Sequence, residues 1–388
     1  MRFALAFLAL ASSASEPGQI TFHRDVEPIF QRRCQTCHRP GEIGPMSLLT
    51  YRQVRPWAKA ILESVLLRRM PPWHAEPGHL TFRNDLSLTG QEIQTIQTWV
   101  RQGAPKGDER HAPPKQPFAS GWRIDTPDVV LEMPMKIRVP AGGEIDYIYL
   151  DVPTGFTEDK WVEMAEVRPS NRSVVHHAIV TIRSPEGGYL AGYAPGMSPQ
   201  IWPSGTARLV PAGAILQFQL HYNAAGREAT DRTRIGLRFA RTPPSRRVVS
   251  MRASSPGLVI PPRAADHPAE AATVIRRDVE LLGFRPHMHL RGKSFEYRAL
   301  TPDGRELQLL RVPRYDFNWQ PFYYLDQPIL LPASTRILCR ATFDNSPNNR
   351  HNPNPDSYVY WGEQSWEEMM IGYFEVAVPV EASHKPLD

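Results

Sequence analysis

Cys34-Gln35-Thr36-Cys37-His38 places two thiols and an imidazole within one helical turn, in the spacing CxxCH. Thiols so placed can form thioethers with the vinyl groups of a heme, and the adjacent imidazole then reaches the iron. Two other chemistries use close cysteine pairs. A zinc site needs further Cys or His ligands nearby, and a thioredoxin-like redox pair needs a βαβ setting, whereas this motif closes a short helix in a helical segment. The motif therefore points to a c-type heme attached at Cys34 and Cys37, with His38 as one axial ligand. Met70, in Arg69-Met70-Pro71-Pro72-Trp73, is the leading candidate for the other, because a thioether raises the heme potential for electron transfer. Met46 and His74 are its rivals.

A second group of donors lies further along. With His111 and His384 set aside, His176, His177, His221, His267, His287, His289 and His351 remain outside the heme region. In Arg285-Pro286-His287-Met288-His289, an HxH on a strand puts both imidazoles on one face, where they can chelate one metal. His176 and His177 are neighbours, and neighbouring strand residues point to opposite faces, so a metal shared by both demands a local distortion. His221, in Gln219-Leu220-His221-Tyr222, would by itself be an ordinary half-buried strand residue.

The elements that must carry these residues are of two kinds. From about Ile20 to Gly103 the apolar pattern is helical, clearest where Thr89 and Glu92 form a capping box, Ile93, Ile96, Trp99 and Val100 a stripe, and Gly103 with Pro105 a stop. A proline-rich linker follows, and then the period becomes two, as in Ile235, Leu237 and Phe239 against Arg234 and Arg238. The stretch Arg241 to Arg247 divides this region into pieces of about 125 and 140 residues, each the size of a β-sandwich. The expected fold is multidomain: a signal peptide over 1–15, a small all-α cytochrome c domain over 16–107, a linker over 108–121, and two antiparallel, jelly-roll-like β-sandwiches over 122–245 and 246–388.

Composition agrees and excludes alternatives. The 39 prolines in 388 residues disfavour a helix bundle over most of the chain. A net charge of +5 without a Lys/Arg tract argues against nucleic acid. Arg2, the apolar run Phe3 to Ala11 and the small residues after it have the layout of a secretory signal, and no later stretch is apolar enough to span a membrane. A soluble, exported protein of the bacterial periplasm is expected, in keeping with c-type heme attachment outside the cytoplasm.

The segment from His23 to Gly107 resembles small single-heme cytochrome c domains, in which a Met-Pro-Pro segment commonly carries the axial methionine. From Gly121 to Val380, the order His176-His177, His221-Tyr222, His287-x-His289 and Glu367-Glu368-Met369, with Gly192-Tyr193-Ala194-Pro195-Gly196 ahead of the second, resembles the copper type II, ascorbate-dependent monooxygenases. That family includes the peptidylglycine alpha-hydroxylating and dopamine beta-monooxygenases. The resemblance implies two sandwiches facing each other across a solvent-filled cleft, with one copper on each. It implies an electron-storing copper on His176, His177 and His221, and a catalytic copper on His287, His289 and Met369. Met370, an equally soft neighbour, is the alternative to Met369. The donors suit copper: imidazole accommodates Cu(I) and Cu(II), a thioether favours Cu(I), and it is a poor ligand for zinc.

The family reaction inserts one oxygen atom of O2 into a C–H bond, reduces the other to water and draws one electron from each copper. By the same resemblance Arg285 and Tyr373 would grip a substrate carboxylate, although Ile371 stands where a polar amide residue is usual. The substrate class is a small molecule or peptide-like compound with a reactive C–H, and the electron donor is ascorbate or a redox protein. The fused heme would relay or replace that donor. With Cys34 and Cys37 taken by heme, Cys339 is left as a buried, unpaired thiol, where animal members use disulfides.

The alternative is a non-catalytic periplasmic protein for electron transfer or copper binding. A cytochrome-fused copper nitrite reductase is excluded by counting, because Cys339 has no His until His351 and a binuclear copper centre needs two cysteines.

Overall fold

The helix marked most clearly by the sequence, Gly90–Arg101, begins as its capping box requires. In the computed structural model, Thr89 Oγ1 accepts from the Glu92 amide at 3.1 Å, and Glu92 Oε2 accepts from the Thr89 amide at 2.9 Å. It ends where Gly103 takes a φ of 87° and the Ala104 amide donates back to the Trp99 carbonyl. Replacing Thr89 by Ala is expected to cost about 1 kcal/mol, read as a lower denaturant midpoint. An unchanged midpoint would mean that the ion pairs of Glu92 with Arg32 and Arg33 suffice to hold the helix end.

The structure describes residues 18–380 apart from 119, 120, 144, 185 and 186; the expected signal peptide lies outside the described residues. They form two units. One ends at Pro72 and resumes over Leu86–Pro117, and the other takes Trp73–Asp85 and everything from Phe118 onward. The first carries the helices Glu27–Arg33, Tyr51–Val54, Ala58–Leu66 and Gly90–Arg101 around a core of Phe22, Phe30, Val54, Ile96 and Trp99. The expected linker, 108–121, falls largely within this unit: Asp108 caps a short turn over Glu109–His111, and Gln31 donates to the Pro114 carbonyl.

Trp73–Asp85 departs from the expected helical domain for a physical reason. Pro77 and Gly78 give it no helical period, while Trp73, Leu80 and Phe82 have apolar surface to bury, and they do so in the core of the second unit. Its backbone bonds to an edge strand, with Arg83 N to Tyr324 O at 3.0 Å and Asp326 N to Thr81 O at 3.0 Å.

The second unit is built on a long sheet whose strands run in the order Val129–Glu132, Arg234–Phe239, Lys160–Arg168, Thr206–Val210, Arg246–Ser254, Ile371–Pro379, Val279–His287 and Tyr323–Leu331. Two four-stranded sheets accompany it: Ile148–Pro153, Ile215–Tyr222, Val175–Arg183 and Gly188–Tyr193 in one, and His267–Val274, Arg336–Phe343, Gly292–Leu300 and Glu306–Val312 in the other. Each is represented in its own apolar core, sandwich fashion. The long sheet is continuous across the expected boundary at 245/246, because Arg246 and Arg247 pair in parallel with Thr206 and Ala207.

Alternation along Ile371–Pro379 serves both halves. Phe374, Val376 and Val378 enter the second core, Ala377 enters the first, and Glu375 reaches a buried ion pair with Arg208 at 2.9 Å. Ile371 and Tyr373, at the start of the strand, face a cavity instead.

Candidate functional site

His176 and His177 need a distortion to work together, and the strand has one. Pairing with Ile215–Tyr222 runs from Val175 opposite Tyr222 to His177 opposite His221, with a register shift that leaves His176 as the extra residue. A bulge bends the strand and turns its side chains. The result is that nitrogens of His176, His177 and His221 all lie within 4.8 Å of one another. His176 Nδ1 and His177 Nδ1 are 3.2 Å apart, and His221 Nδ1 is buried without a hydrogen-bond partner. His176 Nε2 is engaged by Asn318 Oδ1 at 3.2 Å. Tyr147 covers the group, its ring 4.8 Å from that of His221 and 5.6 Å from that of His177.

Burial holds all three imidazoles neutral. It depresses His221 to about 4, pushes His176 down and takes His177 well below the ordinary range. Neutral rings with converging lone pairs are what a divalent or monovalent transition metal requires of histidine.

His287 and His289 present the other nitrogen. His287 closes its strand and donates from Nδ1 to Gln320 Oε1 at 2.8 Å; His289, just past the strand end, bonds through Nδ1 to the Glu367 carbonyl at 3.1 Å. Engagement of Nδ1 orients each ring, as an outer oxygen does when it fixes the tautomer of a metal-binding histidine. The rings are 5.0 Å apart, and burial lowers His287 to about 3 and His289 to about 4. Glu368 steadies this turn by accepting from the His289 amide at 2.9 Å and the Arg291 amide at 2.6 Å. Its burial pushes its own carboxyl up to about 8.

Met369 and Met370 part company. Met369 lines the same cavity as His287 and His289, whereas Met370 is fully buried in the second apolar core. That cavity, about 460 Å³, is lined by members of both imidazole sets: His176 and His177 of one, His287 and His289 of the other, together with Met369.

Arg285 and Tyr373 also line the cavity, and the Arg285 guanidinium lies between the rings of Tyr189 and Tyr373, 4.3 and 4.8 Å from their centroids. His267 begins a strand of the second half, and His351 is exposed in a turn; neither lines the cavity. Cys339 is a buried free thiol against the backbone at Gly372.

Sequence reasoning missed Tyr147, Phe317, Asn318 and Gln320. The signal available was the aromatic density of Tyr315-Asp316-Phe317-Asn318-Trp319, a loop with more apolar surface than a solvent-facing turn would carry.

In the first unit the CxxCH residues form a helical turn, with Cys37 N to Cys34 O at 3.1 Å and His38 N to Cys34 O at 2.9 Å. His38 donates from Nδ1 to the Met46 carbonyl at 3.2 Å, which leaves Nε2 free. Gly44 packs so closely that a Cβ there would lie 2.7 Å from His38 Nδ1. The Cys34 thiol is pushed up to about 12, chiefly by burial and then by Cys37, the opposite of what a reactive redox thiol shows. Ile43, Trp57, Leu66, Leu67 and Met70 are exposed. Met70 is 44% exposed, and Met46 is partly buried against the core. His74 packs with the second unit, both its ring nitrogens buried and without a hydrogen-bond partner. Among the described residues His176, His177 and His221 lie close enough to share one metal ion, and the His287–His289 pair and the CxxCH turn present donor types of the kind those groups take.

No family model matches the chain, and no curated protein matches it in sequence. Among solved structures it is similar to the major capsid protein P2 of bacteriophage PM2, at 10% identity over 64% of this chain and 99% of that one, with a TM-score of 0.29. It is also similar to PNGF-II, at 9% identity over 65% of each chain and a TM-score of 0.29. A third is allantoicase from Saccharomyces cerevisiae, at 10% identity over 54% of this chain and 80% of that one, with a TM-score of 0.17. Likenesses this weak carry no argument about fold or function. No helix among the described residues is long and apolar enough to cross a membrane.

Proposed function

We propose that this chain is an exported, copper-dependent monooxygenase that hydroxylates a C–H bond with O2, its electrons entering through a c-type heme on the smaller unit. One observation carries the reading. A single cavity is lined by members of two imidazole sets that differ in kind: His176 and His177, which approach through Nδ1, and His287 and His289, whose Nδ1 atoms are engaged elsewhere, with Met369 on the same cavity.

His176, His177 and His221 would hold one copper; His287, His289 and Met369 would hold the second; Cys34, Cys37 and His38 would hold the heme, with Met70 completing its ligation. Bound there, these groups would store and deliver single electrons and activate dioxygen. With only three protein donors in the second set, a copper held there would be accessible to dioxygen.

The chain's own contribution is orientation. Gln320 and the Glu367 carbonyl aim the His287 and His289 rings. Arg285, packed against the rings of Tyr189 and Tyr373, and Tyr373 itself offer a cation and a phenol at the cavity wall, suited to an anionic small molecule or peptide-like substrate. Pro71 and Pro72 alone separate Met70 from Trp73, the first residue of the larger unit. Covalent continuity of this kind favours a heme that relays electrons from ascorbate or a redox protein.

Metal analysis and EPR on the heme-loaded, full-length protein test the proposal. Two non-blue coppers per heme, with oxygen uptake and a hydroxylated product on reduction, are expected. Zinc or a single copper would overturn the architecture. Two coppers with no product under any reductant would favour the non-catalytic electron carrier.

A further inference from the structure

The segment Tyr315–Gln320 touches both imidazole sets at once. Asn318 Oδ1 lies 3.2 Å from His176 Nε2, and Gln320 Oε1 lies 2.8 Å from His287 Nδ1. The amide orientations are set by their other ends: Asn318 Nδ2 donates to Asp316 Oδ1 at 3.3 Å, and Gln320 Nε2 donates to the Phe317 carbonyl at 2.9 Å. An amide oxygen only accepts, so each ring must carry its proton on the nitrogen that faces it. That is Nε2 in His176 and Nδ1 in His287, opposite tautomers in the two sets.

Phe317 lies between the sets. Its ring, 9% exposed, stacks on His176 at 5.5 Å and 24°, and meets His289 edge-on at 6.0 Å and 81°. The segment is stiff. Asp316 Oδ1 accepts from the Asn318 amide at 2.9 Å, and the Tyr315 hydroxyl donates to the Met288 carbonyl at 2.7 Å while accepting from the Met288 amide at 3.0 Å. The loop is thus fastened to the backbone between the two histidines of HxH. Packing alone would be served by apolar side chains at 318 and 320; two amides with oriented oxygens serve something else.

We infer that Tyr315–Gln320 is a positioning bridge: Asn318 and Gln320 select the ring nitrogen that each imidazole set presents, and their common segment makes the two sets respond together. The inference deepens the copper reading and rests on it only for what the rings present their nitrogens to.

The test begins with the full-length, metal-free protein labelled with 15N at histidine, where nitrogen shifts report each tautomer. Wild type is expected to hold His176 protonated on Nε2 and His287 on Nδ1. Asn318→Leu should release His176 and also disturb the His287 resonances; Gln320→Leu should do the converse. Asn318→Asp, which keeps an acceptor oxygen, should restore the His176 tautomer. Asp316→Ala, which removes the anchor of Asn318, should act in the same direction and serves if Asn318→Leu does not fold.

Copper titration resolved by EPR then gives the second readout. Asn318→Leu is expected to weaken the His176 set by about 10–100-fold, and the His287 set, on which Asn318 has no hydrogen bond, by at least about 5-fold. Unchanged tautomers in both Leu variants would overturn the bridge, as would an effect confined to the set that each residue contacts. A wild type that takes up no copper would overturn the copper reading alone, because the tautomer readout needs no metal.

Discussion

The Cys34→Ala/Cys37→Ala chain, produced alongside a heme-attachment system, will migrate on a denaturing gel without covalent heme, while the wild-type band stains for it. The expected loss is complete, because the proposed link is two thioether bonds and not an affinity. The geometry supports an all-or-none result. Cys34, Cys37 and His38 occupy one helical turn, and the close approach of Gly44 leaves no room for a bulkier residue behind the His38 ring. A His38→Ala chain should keep its covalent heme yet show an altered absorption spectrum, since attachment and axial ligation are separate. Heme that survives denaturation in the double variant would refute covalent attachment at this motif.

The second large effect separates two adjacent methionines. Met369→Leu is expected to abolish product formation, a loss of at least about 100-fold, the upper end of what removing a mere supporting partner costs. The EPR signal of the three-histidine copper should persist, and thermal stability should change little because Met369 is only partly buried. Met370→Ala should do the reverse. Its side chain is fully buried in the second core, so truncation is expected to cost about 2–5 kcal/mol while copper stoichiometry stays at wild type. If Met370→Leu, which conserves core volume, eliminated the copper signal and Met369→Leu did not, the assignment would be inverted.

What could be read in the sequence was local chemistry. The CxxCH turn and the HxH pair are defined by short spacings, and a strand places i and i+2 on one face whatever lies elsewhere. His176-His177 was legible in a stronger sense: adjacent strand histidines can share a ligand only through a distortion, and the register shift between Val175 and His177 supplies it. Which methionine faces the cavity depends on a register that the sequence left open between Met369 and Met370.

What could not be read depends on contacts between distant residues. Asn318 and His176 are 142 positions apart, and nothing in the local pattern of either names the other. Period-two alternation gives strands but not their neighbours, so the parallel pairing of Arg246 with Thr206, which joins both halves through one sheet, had no sequence signature. The sequence places Trp73–Asp85 within the helical domain, as part of the pattern that runs from about Ile20 to Gly103. Its apolar residues instead find their partners on a strand far along the chain, as where the rings of Trp73 and Phe82 pack against Tyr323, and Asn84 Oδ1 accepts from the Tyr324 amide 240 positions later.

That last segment bears on how the protein can be divided. A truncation that starts after the helical region, at residue 108, would remove Trp73–Asp85 along with the helices. The edge strand Tyr323–Leu331 would lose the backbone partners of Tyr324 and Asp326 and the covering rings of Trp73 and Phe82. A bare edge flanked by uncovered apolar side chains is a template for intermolecular pairing. Recombinant β-unit cut at that point is expected to aggregate, and a soluble fragment will have to start at or before Trp73 and keep the chain through Asp85.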